Sequence, residues 1–309
     1  MVNSPDIRTQ GRMKRLKGRL SRYRYIYLML LPVVLYFIVF SYYPMALGLV
    51  NSFWQIKLLG SSSYVGLANY QAVFASPVYT QAFQNTLAVG AGTFCLQFVW
   101  GLLLALGLNE VRTKLVKSSF QTVTYIPYLL SWSVVGSMWI TILSPGGMLN
   151  GLLSAIGGED FHKIVFMSEL KYARFIMIFT GAWKGAGYYA ALFLAAVISI
   201  DPAIYEAASI DGASRLQQIR RITIPSIQST MKVVVVLGVM AMLRNFDQIF
   251  VMANSAILDR VRNLLYLIYN DGIVQFKIGL ASAAACVVLV ATILITFVVR
   301  KLIRYDEIG

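Results

Sequence analysis

Residues 199–227 read SIDPAIYEAASIDGASRLQQIRRITIPSI and interrupt a strongly apolar chain. Asp201 suits a helix N-cap, and Pro202 suits the first helical position, where its missing N–H is no loss. A short helix is predicted over residues 203–210. Gly212 then takes a left-handed conformation to turn the chain. A second helix is predicted from Ala213 to about Arg221, ending before Pro225. Ala207, Ala208 and Ser209 put small side chains on one side, so a partner's backbone can come close. Arg215, Arg220 and Arg221 follow the turn. A short, stiff element of this kind can transmit force.

The surroundings of this segment set the class of protein. Of 309 residues, 58% are hydrophobic and 13% charged. An ordinary soluble domain carries roughly 25% charged residues, so this chain has too few to solvate a soluble surface. That composition excludes a disordered chain, a secreted disulfide scaffold and a soluble enzyme, and leaves an integral membrane protein. Cys95 and Cys286 lie in apolar runs and read as reduced core thiols. There is no CxxC, and the only histidine, His162, lies in a polar stretch, so no metal site is expected.

A membrane-spanning helix needs about 20 mainly apolar residues. Six stretches qualify, at 26–50, 86–108, 122–143, 175–199, 232–252 and 279–299. The third and fifth carry the most polar residues. Eighteen Lys and Arg residues fall before the first span, in the 2–3 and 4–5 loops and in the tail, against seven on the opposite side. The positive-inside rule then places both termini and the 4–5 loop in the cytoplasm. The same asymmetry accounts for most of the +14 net charge without nucleic acid. The organisation expected is a basic cytoplasmic arm (1–25), a transmembrane region (26–300) with a cytoplasmic loop at 200–230, and a cytoplasmic tail (301–309). The arm is expected to lie along the anionic leaflet. Its junction with the first span differs from a signal peptide, because the apolar run is too long and no small-residue cleavage site comes after it. Tyr23, Tyr25, Tyr27, Tyr42 and Tyr43 read as interfacial belts.

On these residues the chain resembles the permease subunits of binding-protein-dependent ABC importers. Their EAA motif is Glu-Ala-Ala, three residues, Gly, nine residues, Ile, one residue and Leu-Pro. Here it stands as Glu206-Ala207-Ala208, Gly212, Ile222 and Ile224-Pro225, with Ile224 replacing Leu. The stretches at 22–45, 105–132 and 195–225 are most similar to the carbohydrate-uptake branch that serves oligosaccharides from complex glycans, often labelled LplB- or YteP-like. The resemblance implies an all-α polytopic fold with six transmembrane helices, that of an ABC type I importer permease, in a bacterial cell membrane. It also implies a coupling helix within 203–221 that docks into an ATPase subunit, with Glu206 and Gly212 as anchor positions. Candidate coupling residues are thus Glu206, Ala207, Ala208, Asp211, Gly212, Arg215, Ile222 and Pro225. The implied assembly has two permease subunits, favoured as a heterodimer, two ATPase subunits that hold ATP and Mg, and an external solute-binding protein. This chain has no G-x-x-x-x-G-K-[ST] and binds no cofactor of its own by this reading. The run GAWKGAG, 181–187, reads as a site of close helix packing.

Polar residues within the spans are the remaining candidates, since they tend to face a bundle interior or a water-filled path. Arg244 and Asp247 are three apart, expected on one helix face and able to pair, with Asn245 and Gln248 beside them. Lys184 and Tyr188 lie early in the fourth span. Two readings stay open. One is a path for sugar, bound by hydroxyl hydrogen bonds and aromatic faces. The other is a network joining two permease subunits, or Lys184 snorkelling to the interface. Tyr125, Tyr128 and Trp132 read as packing around Pro127. A secondary transporter or channel would need paired repeats or broken helices, and the sequence shows no internal repeat. A membrane-embedded enzyme would need a nucleophile–base pair, and none is evident.

Overall fold

The computed structural model describes residues 23–57, 59–158 and 161–303. The basic arm up to residue 22 and the tail from 304, with the expectations placed on them, lie outside the described residues. The helices in chain order are α1 (Arg24–Asn51), α2 (Ala68–Ala75), α3 (Pro77–Glu110), α4 (Lys114–Leu129), α5 (Trp132–Ile142) and α6 (Met148–Gly157). They continue with α7 (Leu170–Ile198), α8 (Pro202–Ile210), α9 (Arg215–Ser226), α10 (Gln228–Met242), α11 (Asp247–Met252), α12 (Leu258–Val261), α13 (Leu264–Val274) and α14 (Ile278–Leu302). A two-residue antiparallel pair, Trp54–Gln55 with Ser63–Tyr64, is the only sheet among the described residues.

Three helices, α1, α3 and α14, are each long and apolar enough to cross a membrane alone. Three bent helix pairs bring the number of candidate spans to six. Two expected spans are not continuous. The third is α4 and α5, bent by 100°. Leu130 and Ser131 are extended at the bend, and the Ser131 hydroxyl accepts from the Val134 N–H to start the new helix. The fifth breaks at Leu243–Phe246 between α10 and α11. Asn263 Nδ2 donates to the Asn245 carbonyl there, so a side chain satisfies backbone that the helix has released.

The bundle is organised around α3 and α7, which pack along their lengths. The buried face of α3 runs Tyr79, Ala82, Thr86, Val89, Thr93, Gly101, Ala105 and Leu108, the three-to-four spacing of a single helical stripe. On α7, Gly187 meets α4. A β-carbon there would lie 2.6 Å from the Thr124 carbonyl carbon and 2.9 Å from Tyr125 Cα, so only glycine permits the approach. The packing expected of the 181–187 run is thus present. Apolar clusters occupy both ends of α7. Met177, Ile249, Met252, Ile257 and Val261 surround its early turns. Phe193, Leu194, Ala105, Leu108 and Val234 surround its late ones. Helix α1 buries no residue over Arg24–Phe37, an all-round apolar surface suited to lipid or neighbouring helices.

Tertiary contacts sort the loops to two ends. At one end Arg174 donates to the Asn85 amide oxygen (2.8 Å) and the Arg260 carbonyl, while Asn85 donates to the Asp259 and Arg262 carbonyls. At the other, Arg215 lies 3.9 Å from Glu110. The segments around 110 and 200–226 therefore share an end, as the charge count groups them.

Candidate functional site

Between the two apolar clusters lies a polar gap. Val89, Thr93 and Gln97 succeed one another by single turns on α3, so the apolar stripe turns polar midway. The gap has a volume of about 230 Å³. It is lined by Thr93, Gln97, Trp132, Tyr189 and the broken stretch Arg244–Gln248, together with Gly90, Gly181 and Gly238. Gln248 is fully buried and fully used. It donates to the Met177 carbonyl (2.7 Å) and the Thr180 hydroxyl (2.9 Å) and accepts from Asn245 Nδ2 (2.8 Å). The first two tie the start of α11 to α7, and the third spans the end of the break. The Thr93 hydroxyl, by contrast, is buried with no partner among the described residues. An unpaired buried hydroxyl is costly unless something polar meets it.

The candidates Arg244, Asn245, Asp247 and Gln248 thus converge on one gap. Their expected arrangement needs correction. Arg244 and Asp247 do not share a helix face, because the helix ends at Met242 and resumes at Asp247. No ion pair joins them among the described residues. Lys184 is tied to the end of α4. Its Nζ donates to the Tyr128 carbonyl (2.9 Å), at the end of α4 where helical partners run out. It sits 5.5 and 5.6 Å from the Tyr128 and Trp132 ring centres and interacts electrostatically with Asp247. Tyr188 stacks on Tyr128 (4.6 Å) outside the gap lining, and its neighbour Tyr189 takes the lining place. Thr93 and Gln97 are lining residues that lie outside the candidates drawn from the sequence. The signal that could have found them is the polar pair at helical spacing within the second apolar stretch.

The second site is the 200–226 projection. Asp201 caps α8 by accepting from the Ala203 N–H (2.9 Å). Gly212 has φ +77°, the expected left-handed turn. The Ala213 N–H reaches the Ala208 carbonyl (2.9 Å) and the Gly212 N–H the Ser209 carbonyl (3.1 Å), a Schellman closure. The second helix differs from expectation. It starts at Arg215, because Ser214 and Gln217 form a reciprocal capping box. It also passes Pro225 instead of ending before it. A π-turn at Ile219–Thr223 shifts the hydrogen-bond frame ahead of the proline, and the chain then bends by 63° into α10. Gln218 Nε2 donates to Ser209 Oγ (2.9 Å), and the Tyr205 and Thr223 hydroxyls meet at 2.8 Å, so α8 and α9 are braced together. Glu206 and Arg215 line a cleft of about 440 Å³ against Glu110 and Arg112. Ala207, Asp211 and Gly212 are exposed, Ala208 and Ile222 half-buried. Ile210 and Leu216 project outward at 87% and 74% exposure.

A bundle of membrane-length helices around a polar gap, with a braced two-helix projection at one end, defines a transport subunit. The chain belongs to the family of binding-protein-dependent transport system inner membrane components, whose model matches residues 97–304. It is 35% identical to the polygalacturonan/rhamnogalacturonan transport system permease protein YteP of Bacillus subtilis (strain 168), covering 87% of this chain and 84% of that protein. It is 32% identical to protein LplB of the same organism, covering 94% and 92%. Among solved structures it is similar to a bacterial ABC transporter involved in the import of the acidic polysaccharide alginate, with TM-score 0.85, 32% identity, and 94% and 98% coverage. The same holds for the alginate transporter in complex with an alginate pentasaccharide-bound periplasmic protein, at TM-score 0.87, 32% identity, and 96% and 99% coverage. The chain is therefore a sugar ABC transporter permease with the type I importer fold, and not an enzyme; the ATPase is a separate partner.

Proposed function

We propose that this permease imports an oligosaccharide delivered by an external solute-binding protein, and that α8–α9 couples it to ATPase subunits that hold ATP and Mg. Both termini and the 200–226 projection then face the cytoplasm of a bacterial cell, a reading that the Lys and Arg asymmetry supports. A second permease subunit, favoured as a different chain, completes the path around the polar gap. The observation that carries this reading is the projection itself. Its caps, Schellman turn and α8–α9 braces make it stiff. Yet Ile210 and Leu216 stand at its tip, exposed among the described residues. Exposed apolar tips on a rigid element mark a contact surface. Glu206 and Asp211 add carboxylates to the same surface, open to a base on the ATPase.

The test is a cross-linking experiment in the reconstituted complex. Ile210→Cys paired with cysteines in a surface groove of the ATPase should form a disulfide that blocks sugar uptake, with uptake restored by reduction. A complex that assembles with its ATPase and transports normally, yet gives no cross-link from position 210 or 216, would remove the coupling assignment.

A further inference from the structure

We infer that the polar gap selects oligosaccharides carrying carboxylates, and that Arg244 is the residue that reads the carboxylate. The inference rests on the proposed reading of the gap as the sugar path. It starts from an unbalanced charge. Two charged residues line the gap, Arg244 and Asp247, and the cation Lys184 lies beside the lining residue Trp132. Lys184 is already engaged, through the Tyr128 carbonyl, two aromatic faces and the charge of Asp247. Arg244 lines the gap, but its guanidinium makes no hydrogen bond or ion pair among the described residues. Had the fifth span stayed helical, Arg244 and Asp247 would lie one turn apart and able to pair. The break at Leu243–Phe246 prevents that and leaves the guanidinium open to the gap.

An unpaired arginine at membrane depth is expensive, and such groups mark substrate pathways. A planar guanidinium offers a fork of donors that matches a carboxylate in two parallel bonds, a geometry no neutral hydroxyl reproduces. The neighbouring amides cannot take that role. Gln248 is consumed by Met177, Thr180 and Asn245, and Asn245 spends a donor on Gln248. The Gln97 amide donates to the Gly181 carbonyl. Left for the rest of the sugar are the unpartnered Thr93 hydroxyl and the Trp132 and Tyr189 side chains. The gap thus offers one strong anion contact, one free hydroxyl and aromatic surface, which fits a hexuronate residue better than a neutral hexose.

The experiment uses the complete complex with its binding protein in proteoliposomes. The probes are trigalacturonate and its methyl ester, each supplied at a concentration shown to saturate the binding protein. The wild-type complex should take up the acid faster than the ester. Arg244→Gln should lower acid uptake by about 10- to 100-fold, the loss expected of a charge-assisted hydrogen bond, and leave ester uptake within about twofold, since an ester forms no charge-assisted bond. Arg244→Lys keeps the charge and should retain a preference for the acid, and Asp247→Asn should not reduce acid uptake. Equal losses for both probes in Arg244→Gln, or failure to assemble that Arg244→Lys rescues without any acid preference, would overturn the inference and make Arg244 a subunit contact. A wild-type complex that takes up neither probe, though both load the binding protein, would instead overturn the sugar-path reading itself.

Discussion

Replacing Gly212 separates backbone conformation from side-chain contact. Its φ is +77°, and a β-carbon at this position would meet nothing within 4 Å. Any effect of substitution therefore comes from the left-handed conformation and not from crowding. An L-residue pays roughly 1–2 kcal/mol there, and a β-branched one more, since it is a genuine outlier at positive φ. Asparagine visits this region with little penalty. The two Schellman bonds from Ala213 and Gly212, each worth about 0.5–1.5 kcal/mol, resist relaxation of the turn in every variant alike. Gly212→Val should therefore disfavour the observed turn by about 2 kcal/mol, a factor of roughly 30 in the population that presents α9 correctly. Gly212→Ala should fall in between, and Gly212→Asn should stay near wild type. The assay is ATPase activity of the reconstituted complex with and without loaded binding protein, alongside sugar uptake. The expected order of retained stimulation is Gly, Asn, Ala, Val, with the chain still inserted in every case. A Gly212→Val complex with full stimulation and uptake, or an asparagine variant as poor as valine, would refute the reasoning.

Three further outcomes rest on packing and orientation. Gln248→Leu removes two hydrogen bonds that join α11 to α7, at the Met177 carbonyl and the Thr180 hydroxyl, and one from Asn245 within the break. The thermal midpoint of the purified complex should fall by an amount reflecting about 1–3 kcal/mol, and an unchanged midpoint would show that the network carries no stability. Gly187→Ala forces a methyl group against the α4 backbone at Thr124 and Tyr125. Overpacking of that kind costs about 1–3 kcal/mol and should lower the midpoint more than Gly212→Ala, where space is open. For sidedness, Asp211→Cys and Ile156→Cys in a background lacking Cys95 and Cys286 should label oppositely in intact cells. Position 156 should react with an impermeant maleimide and position 211 only with a permeant one; ready labelling of 211 from outside would invert the orientation.

Much of the 200–226 projection is legible in the sequence because its signals are local. Asp201 and Pro202 start a helix through bonds within one turn, and Gly212 turns the chain through its own φ. Ser214 and Gln217 are equally local, a serine and a glutamine three residues apart, and their reciprocal bonds move the helix start from the expected Ala213 to Arg215. The π-turn before Pro225 has no local signature, since helix continuation past a proline depends on what the next segment packs against.

Composition by itself determined that the chain must live in a membrane, for 13% charged residues cannot solvate such a surface. The distribution of lysine and arginine determined which loops belong together, and the Glu110–Arg215 contact agrees. Only the tertiary structure decided how the polar residues inside the bundle are used. Hydropathy along a chain reports how apolar a window is, not whether it stays helical. The breaks at Leu130–Ser131 and Leu243–Phe246 exist because side chains from distant segments satisfy the freed backbone groups, Lys184 at the Tyr128 carbonyl and Asn263 at that of Asn245. The Asn263 donor belongs to the break that separates Arg244 from Asp247 and turns an expected ion pair into an open guanidinium, and a hydrogen bond across 56 or 18 residues leaves no trace in the spacing of either segment.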